Sequence, residues 1–227
     1  MSKLIEDSTP HPCLTFLNSV QKSVIFKLMS HSTHTSSTAT APHNTGRDVA
    51  LIAVFAAFIA VCALLPAFPV GPAGVPITFQ TLGIYLTALV LGGKRGFLAV
   101  LLYVIVGLLG LPVFAGGSGG IAALAGPSAG YLLAFAPAAA LTGALAYSTL
   151  STRPGKSPIL RLTGAVLAGF VLMTAAGIAG MVINAGISWP AAFTAALLYV
   201  PGDLIKCAVA IAVALPVHRA FPTLSRR

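Results

Sequence analysis

The chain has 227 residues, of which 57% are hydrophobic and 7% charged, with a mean hydropathy of +0.95 and a formal net charge of +9. A water-soluble domain of this size needs far more charge on its surface, so composition excludes that class and predicts an all-α membrane bundle. The basic residues are spread thinly along the chain, which argues against nucleic acid, and Cys13, Cys62 and Cys207 form neither a disulfide framework nor a zinc spacing.

Residues 1–46 differ in character from the rest of the chain. Met29 to Arg47 carries a Ser/Thr/His tract without apolar periodicity, so a disordered cytoplasmic extension is expected. Met29 is an equally good start, which would make the preceding residues a gene-model extension. His31, His34 and His43 lack the rigid spacing of a metal site. From Asp48 apolar segments succeed one another at 48–65, 77–92, 97–112, 130–150, 161–185 and 191–216, the last interrupted by Pro201-Gly202. Spanning needs about 20 residues, so the shorter segments must extend into their flanks. A proline suits the first turn of a helix, and Asp203 suits its positive end. The last block is therefore expected to be a short outer helix followed by a span from Pro201. This gives six spanning helices within 47–219 and a basic tail at 220–227.

Orientation follows from lysine and arginine. Arg47, Lys94, Arg95, Arg153, Lys156, Arg161, Arg219, Arg226 and Arg227 fall on alternate connections and at the ends, whereas 66–76, 113–129 and 186–200 hold no charge. The positive-inside rule then predicts both termini inside, in a multi-pass membrane protein whose outer surface meets lipid.

Asp203 and Lys206 are the only charged side chains between Arg161 and Arg219. A charge at the centre of a spanning helix costs about 2.5 to 3.5 kcal/mol, so such residues mark either a binding site or a structural ion pair. Three apart on a helix, they share a face. The same outer half receives Thr78, Gln80 and Thr81 at the start of the second span, together with the loop 113–129. An apolar cavity with a few converging polar groups is the usual form of a small-molecule site. The uncharged Pro/Gly-rich loop at 66–74 is a candidate lid.

The segment Gly116-Gly117-Ser118-Gly119-Gly120 satisfies the G-x-S-x-G pattern of serine hydrolases, but no histidine lies between His43 and His218 to act as base. No Gly-Lys-Ser/Thr follows it, so it is not a phosphate loop either. An enzyme is not expected. Ala53, Ala56, Ala57 and Ala60 put small residues at four-residue spacing on the first span, a stripe that permits close helix contact within the chain or with a partner.

The strings GVPITFQTLG (74–83), KRGFLAVLLYVIVGLLGLPVFAGGSGG (94–120), GPSAGYLLAF (126–135) and PGDLIK (201–206) resemble the BioY family, the biotin-binding S components of energy-coupling-factor (ECF) vitamin transporters. The resemblance runs in order from about 48 to 216. It implies a six-helix protein that binds biotin as transported ligand at the outer face, with no cofactor and no metal. Its implied partners are a transmembrane coupling protein and two ATPase subunits, although some members are thought to work without a dedicated module. Self-association is left open, and a different vitamin is the alternative ligand. Matching motifs imply ligand contacts at Asp203, Lys206, Gln80 and Thr78, and a pocket wall or lid containing Gly116, Gly117, Ser118, Gly119 and Tyr131. Asp203 would accept from the ureido N–H while Lys206 meets the carboxylate, or both act at one end. The stripe Ala53, Ala56, Ala57 and Ala60 would face the coupling protein.

Overall fold

The computed structural model describes residues 45–66, 68–69, 75–152 and 157–220. The extension expected for 1–46 lies outside the described residues as far as 44, as do the tail 221–227 and positions 67 and 70–74 of the candidate lid. Five helices are each long and apolar enough to cross a membrane. They are α1 (Thr45–Leu64), α2 (Gln80–Leu108), α3 (Ala129–Thr152), α4 (Pro158–Ala185) and α5 (Trp189–Ala220). A minimal antiparallel pair, β1 (Phe68–Pro69) and β2 (Pro76–Ile77), lies between α1 and α2, with Phe68 opposite Ile77. Two 3-10 turns, Ala115–Gly117 and Ile121–Leu124, shape the connection from α2 to α3.

Local chemistry explains the helix limits and their packing. Pro158 occupies the first turn of α4, and Ser157 Oγ accepts from the Leu160 amide at 3.4 Å, satisfying one donor that a helix start leaves open. Helix α1 buries Ala56, Ile59, Cys62 and Ala63 on one stripe while Val54 and Val61 face outward. Large apolar side chains stay exposed on every helix, among them Leu133, Val171 and Ile205. Water would penalise that surface; lipid accommodates it.

Helix α2 is not straight. Gly92 has φ 81° and ψ −178°, a conformation that side chains forbid and glycine permits. The chain reverses there. A Cβ on Gly96 would lie 3.1 Å from Ala88 Cα, and Gln80 reaches Tyr103, a residue about 35 Å away along a continuous helix. Residues 80–91 and 93–108 are therefore antiparallel arms, matching the segments read from sequence at 77–92 and 97–112. The break frees backbone carbonyls, and other helices supply donors for them. Tyr147 of α3 donates its hydroxyl to Val90 O at 2.6 Å, and His218 of α5 donates Nε2–H to Leu89 O at 2.9 Å. The Arg95–Asp48 ion pair at 2.8 Å pins α1 to the same end.

One expectation is corrected. The last block is a single helix of 32 residues rather than a short outer helix followed by a span from Pro201. Proline removes one N–H, but the Ala/Leu-rich sequence on both sides favours helix strongly enough to carry through it. At 1.5 Å per residue α5 is roughly 48 Å long, well beyond the roughly 30 Å of a hydrocarbon core.

The hairpin supplies a test. Gly92→Ala is expected to lower stability by about 1 to 3 kcal/mol, since the backbone conformation is strained and the new methyl meets the Tyr147 ring. Gly164→Ala, on an exposed part of α4 with no atom close to the added methyl, is expected to be neutral or slightly stabilising. Thermal unfolding in detergent compares the two, and equal behaviour would contradict the strained reversal.

Candidate functional site

A cavity of about 250 Å³ opens between the start of the 80–91 arm, the loop after α2, the start of α3 and the middle of α5. Its wall is mainly apolar and aromatic: Val75, Pro76 and Ile77 from β2 and its approach, Phe114 and Ala115 from the loop, Tyr131, Leu132 and Phe135 from α3, and Tyr199 from α5. The polar lining comprises Thr78, Gln80, Thr81, Ser118, Ser128, Asp203 and Lys206. Of the sequence-predicted ligand contacts, the fold brings Asp203, Lys206, Gln80, Thr78, Ser118 and Tyr131 together here. Gly116, Gly117 and Gly119 do not line the cavity. Gly116 and Gly117 turn outward, and Gly119 packs against the backbone of Leu111.

The charged pair does not stand alone. Lys206 Nζ lies 2.8 Å from Asp203 Oδ1, and Thr81 Oγ1 sits 3.2 Å from each. The hydroxyl donates to the carboxylate and accepts from the ammonium, closing a three-membered network across α5 and the 80–91 arm. Asp203 Oδ1 thus receives two donors, and Oδ2 has no partner among the described residues. The ammonium has three hydrogens and commits two of them. What remains is one acceptor beside one donor, at the wall of a cavity where Lys206 is buried and Asp203 half-buried.

A second network backs the first. Gln80 Nε2 donates to Tyr103 OH at 2.7 Å, and Tyr103 OH donates to Val113 O at 3.0 Å. The next residue, Phe114, meets Tyr103 edge to face with ring centroids 5.6 Å apart. Its ring fills the space a side chain at position 107 would occupy, which is why Gly107 must lack one. Further along, Gly120 N bonds Gly107 O at 2.7 Å, and Asn184 of α4 holds Leu124 O and Gly126 O at 2.9 and 3.1 Å. The glycine-rich loop is thus a tethered wall. Ser118 donates to Ala115 O at 2.9 Å, consistent with a turn-forming hydroxyl rather than a nucleophile.

Thr81, Phe114, Phe135 and Tyr199 are among the lining residues beyond the predicted contacts. Thr81 was legible as part of the polar start of the second span, and its partners were not. The aromatic residues sit in apolar runs where nothing distinguishes cavity-facing from lipid-facing positions. On α1 the small-residue stripe divides: Ala56 and Ala60 pack inward, whereas Ala53 and Ala57 face outward. No group of three metal-ligating side chains occurs among the described residues.

The profile of the BioY family matches residues 31–223. The chain belongs to the BioY family. That match extends past both ends of the stretch that carries the four motifs. The biotin transporter BioY of Rhizobium etli is 37% identical over 185 residues, covering 80% of this chain and 98% of its own length. The biotin transporter BioY of Rhodobacter capsulatus is 42% identical over 188 residues, covering 78% of this chain and 96% of its own. The crystal structure of an S-component for biotin from an ECF-type ABC transporter superposes with a TM-score of 0.73 at 28% identity, over 80% of this chain and 95% of that one. This BioY family member is accordingly a membrane transport protein and not an enzyme.

The bridging role of Thr81 is testable without any ligand. Thr81→Val keeps the shape but strands one donor and one acceptor of the charged pair, and is expected to cost about 1 to 3 kcal/mol of stability. Thr81→Ser, which keeps the hydroxyl, should stay within about 0.5 kcal/mol of the parent. Thermal unfolding of both variants decides, and a Thr81→Val variant as stable as the parent would overturn the bridging role.

Proposed function

We propose that this BioY family member is the biotin-binding S component of an energy-coupling-factor transporter and captures biotin at the outer face of the cytoplasmic membrane. The observation that carries the reading is the Asp203–Lys206–Thr81 network in the wall of an otherwise apolar, aromatic cavity. Biotin offers a ureido ring with donors flanking a carbonyl, an apolar bicycle and chain, and a carboxylate. The 2.8 Å contact between the charges favours their acting together at one end of the ligand. The free acceptor of Asp203 and the free donor of Lys206 complement a ureido N–H beside its C=O. The aromatic wall covers the bicycle. Lys206 is the only cation among the described lining residues, so the ligand carboxylate is met by hydroxyls, backbone N–H groups or water.

Six crossings are inferred by counting each arm of α2 as one, with both termini inside. The basic residues support it: Asp48–Arg95, the Gly92 reversal and His218 gather at one end of the bundle, and the cavity opens at the other. The outward pair Ala53 and Ala57 offers a small-residue surface to a transmembrane coupling protein, which with two ATPase subunits would supply the energy for uptake. Lipid covers the remaining apolar exterior.

Two outcomes are expected. Lys206→Ala and Asp203→Asn should each weaken biotin binding by roughly 2 to 5 kcal/mol, the range for truncating one partner of a buried charged hydrogen bond. Combining Asp203→Asn with Lys206→Met should abolish binding yet leave a folded protein. A purely structural pair gives the reverse: destabilised single variants, rescue in the double, and retained affinity. Labelled-biotin binding alongside thermal unfolding separates the two, and competition by thiamine or riboflavin instead of biotin would redirect the reading to another vitamin. For topology, a cysteine replacing Ser118 should react with an impermeant reagent from outside and one replacing Arg153 should not, in a background without the native cysteines.

A further inference from the structure

The Gln80 amide has two ends, and the cavity receives only one. Tyr103, which does not itself line the cavity, decides which. A phenolic hydroxyl carries a single hydrogen. That hydrogen goes to Val113 O at 3.0 Å, a carbonyl that can only accept. Towards Gln80, 2.7 Å away, the same oxygen must therefore accept, so the amide NH2 faces Tyr103. The amide oxygen, Oε1, is the end without a partner among the described residues, on a buried side chain that lines the cavity. Reversing the amide would either set two acceptors against each other at 2.7 Å or draw the hydroxyl hydrogen to Gln80 and leave the Val113 carbonyl without it.

We infer that Tyr103 is a positioning residue that sets Gln80 as a hydrogen-bond acceptor towards the ligand, selecting a ligand that presents an N–H at that point. The setting is shared with the loop wall, because Val113 precedes Phe114 and the Phe114 ring rests on Tyr103 and in the Gly107 notch. Tyr103 is 2% exposed, so its hydroxyl is sheltered from bulk solvent. The inference rests on the biotin reading: the second ureido N–H is the group that a Gln80 acceptor would take, beside the donor–acceptor pair offered by Asp203 and Lys206.

The test uses the full chain in detergent, labelled biotin, and a biotin analogue methylated on its ureido nitrogens. Tyr103→Phe keeps the ring and its contact with Phe114 but releases the amide, and is expected to weaken biotin binding about 10-fold, mainly through faster dissociation. In a Gln80→Met background, Tyr103→Phe should add nothing. Unchanged affinity in Tyr103→Phe, or the same fold-loss in both backgrounds, would overturn the inference and leave Tyr103 a packing residue. A second arm does not depend on that variant folding. Gln80→Met should lose about 10-fold towards biotin and little towards the methylated analogue, and equal losses for the two ligands would refute the acceptor assignment. Failure of the parent chain to bind biotin would instead overturn the proposed function, an outcome separate from either of these.

Discussion

A bundle surrounded by lipid offers no bulk water to satisfy a stray hydrogen-bonding group, so a polar group that folding moves inward is costly unless it meets a partner inside the protein. Here that constraint acts on backbone and side chains alike. The carbonyls released at Gly92 are met by Tyr147 and His218, which come from different helices. Gln80 is met by Tyr103, and Tyr103 by the backbone at Val113. Asp203 and Lys206 of α5 meet each other and Thr81. Each solution joins elements that are distant in sequence, so satisfying the polar groups also fixes how the helices sit.

The reversal at Gly92 makes the site. It turns one run of apolar sequence into two antiparallel arms, which brings Tyr103 back beside Gln80 and leaves Thr81 facing α5. Helix α5 touches the first arm twice, Lys206 with Thr81 near the cavity and His218 with Leu89 at the far end. Both contacts follow the same direction along the two helices, so they run parallel and share one register. A slip of one helical turn, about 5.4 Å, would break the hydrogen bonds of Thr81 and of His218 together. The capping of a broken helix at one end of the bundle thereby supports the geometry of the charged network at the other.

Most of this architecture was legible as hydropathy. Apolar segments at 77–92 and 97–112 locate the two arms, because the Gly-Gly-Lys-Arg stretch between them is the only charged interruption. The Asp203–Lys206 pair was legible because charge is so rare in the chain, and its spacing put both residues on one face. Other features were not. Pro201-Gly202 has the look of a helix start, but one missing N–H weighs little against strong helix formers on both sides, and the helix runs through. Glycines 116 and 117 were expected in the wall or lid from the matching motif, whereas their backbone forms the turn between Phe114 and Ser118 and they do not line the cavity. Tyr103 was invisible as a functional residue. It stands in an apolar run, and only the fold brings its hydroxyl between Gln80 and Val113.

The charged network also bears on what the cavity can recognise. A carboxylate and an ammonium that already hold each other at 2.8 Å present a dipole to a ligand, not a net charge. An anion drawn to Lys206 is repelled by Asp203 at nearly the same distance, so the two Coulomb terms largely cancel. A neutral group with a donor beside an acceptor satisfies both partners at once and leaves the pair intact. The polar groups then set the orientation of the ligand as well as contributing to its affinity. Covering apolar surface adds to this, at about 25 cal/mol per Å², and Phe114, Tyr131, Phe135 and Tyr199 line the cavity to supply it. The two charges at the cavity wall are thus neutralised by each other and not by the ligand, which leaves a neutral polar group as their best match.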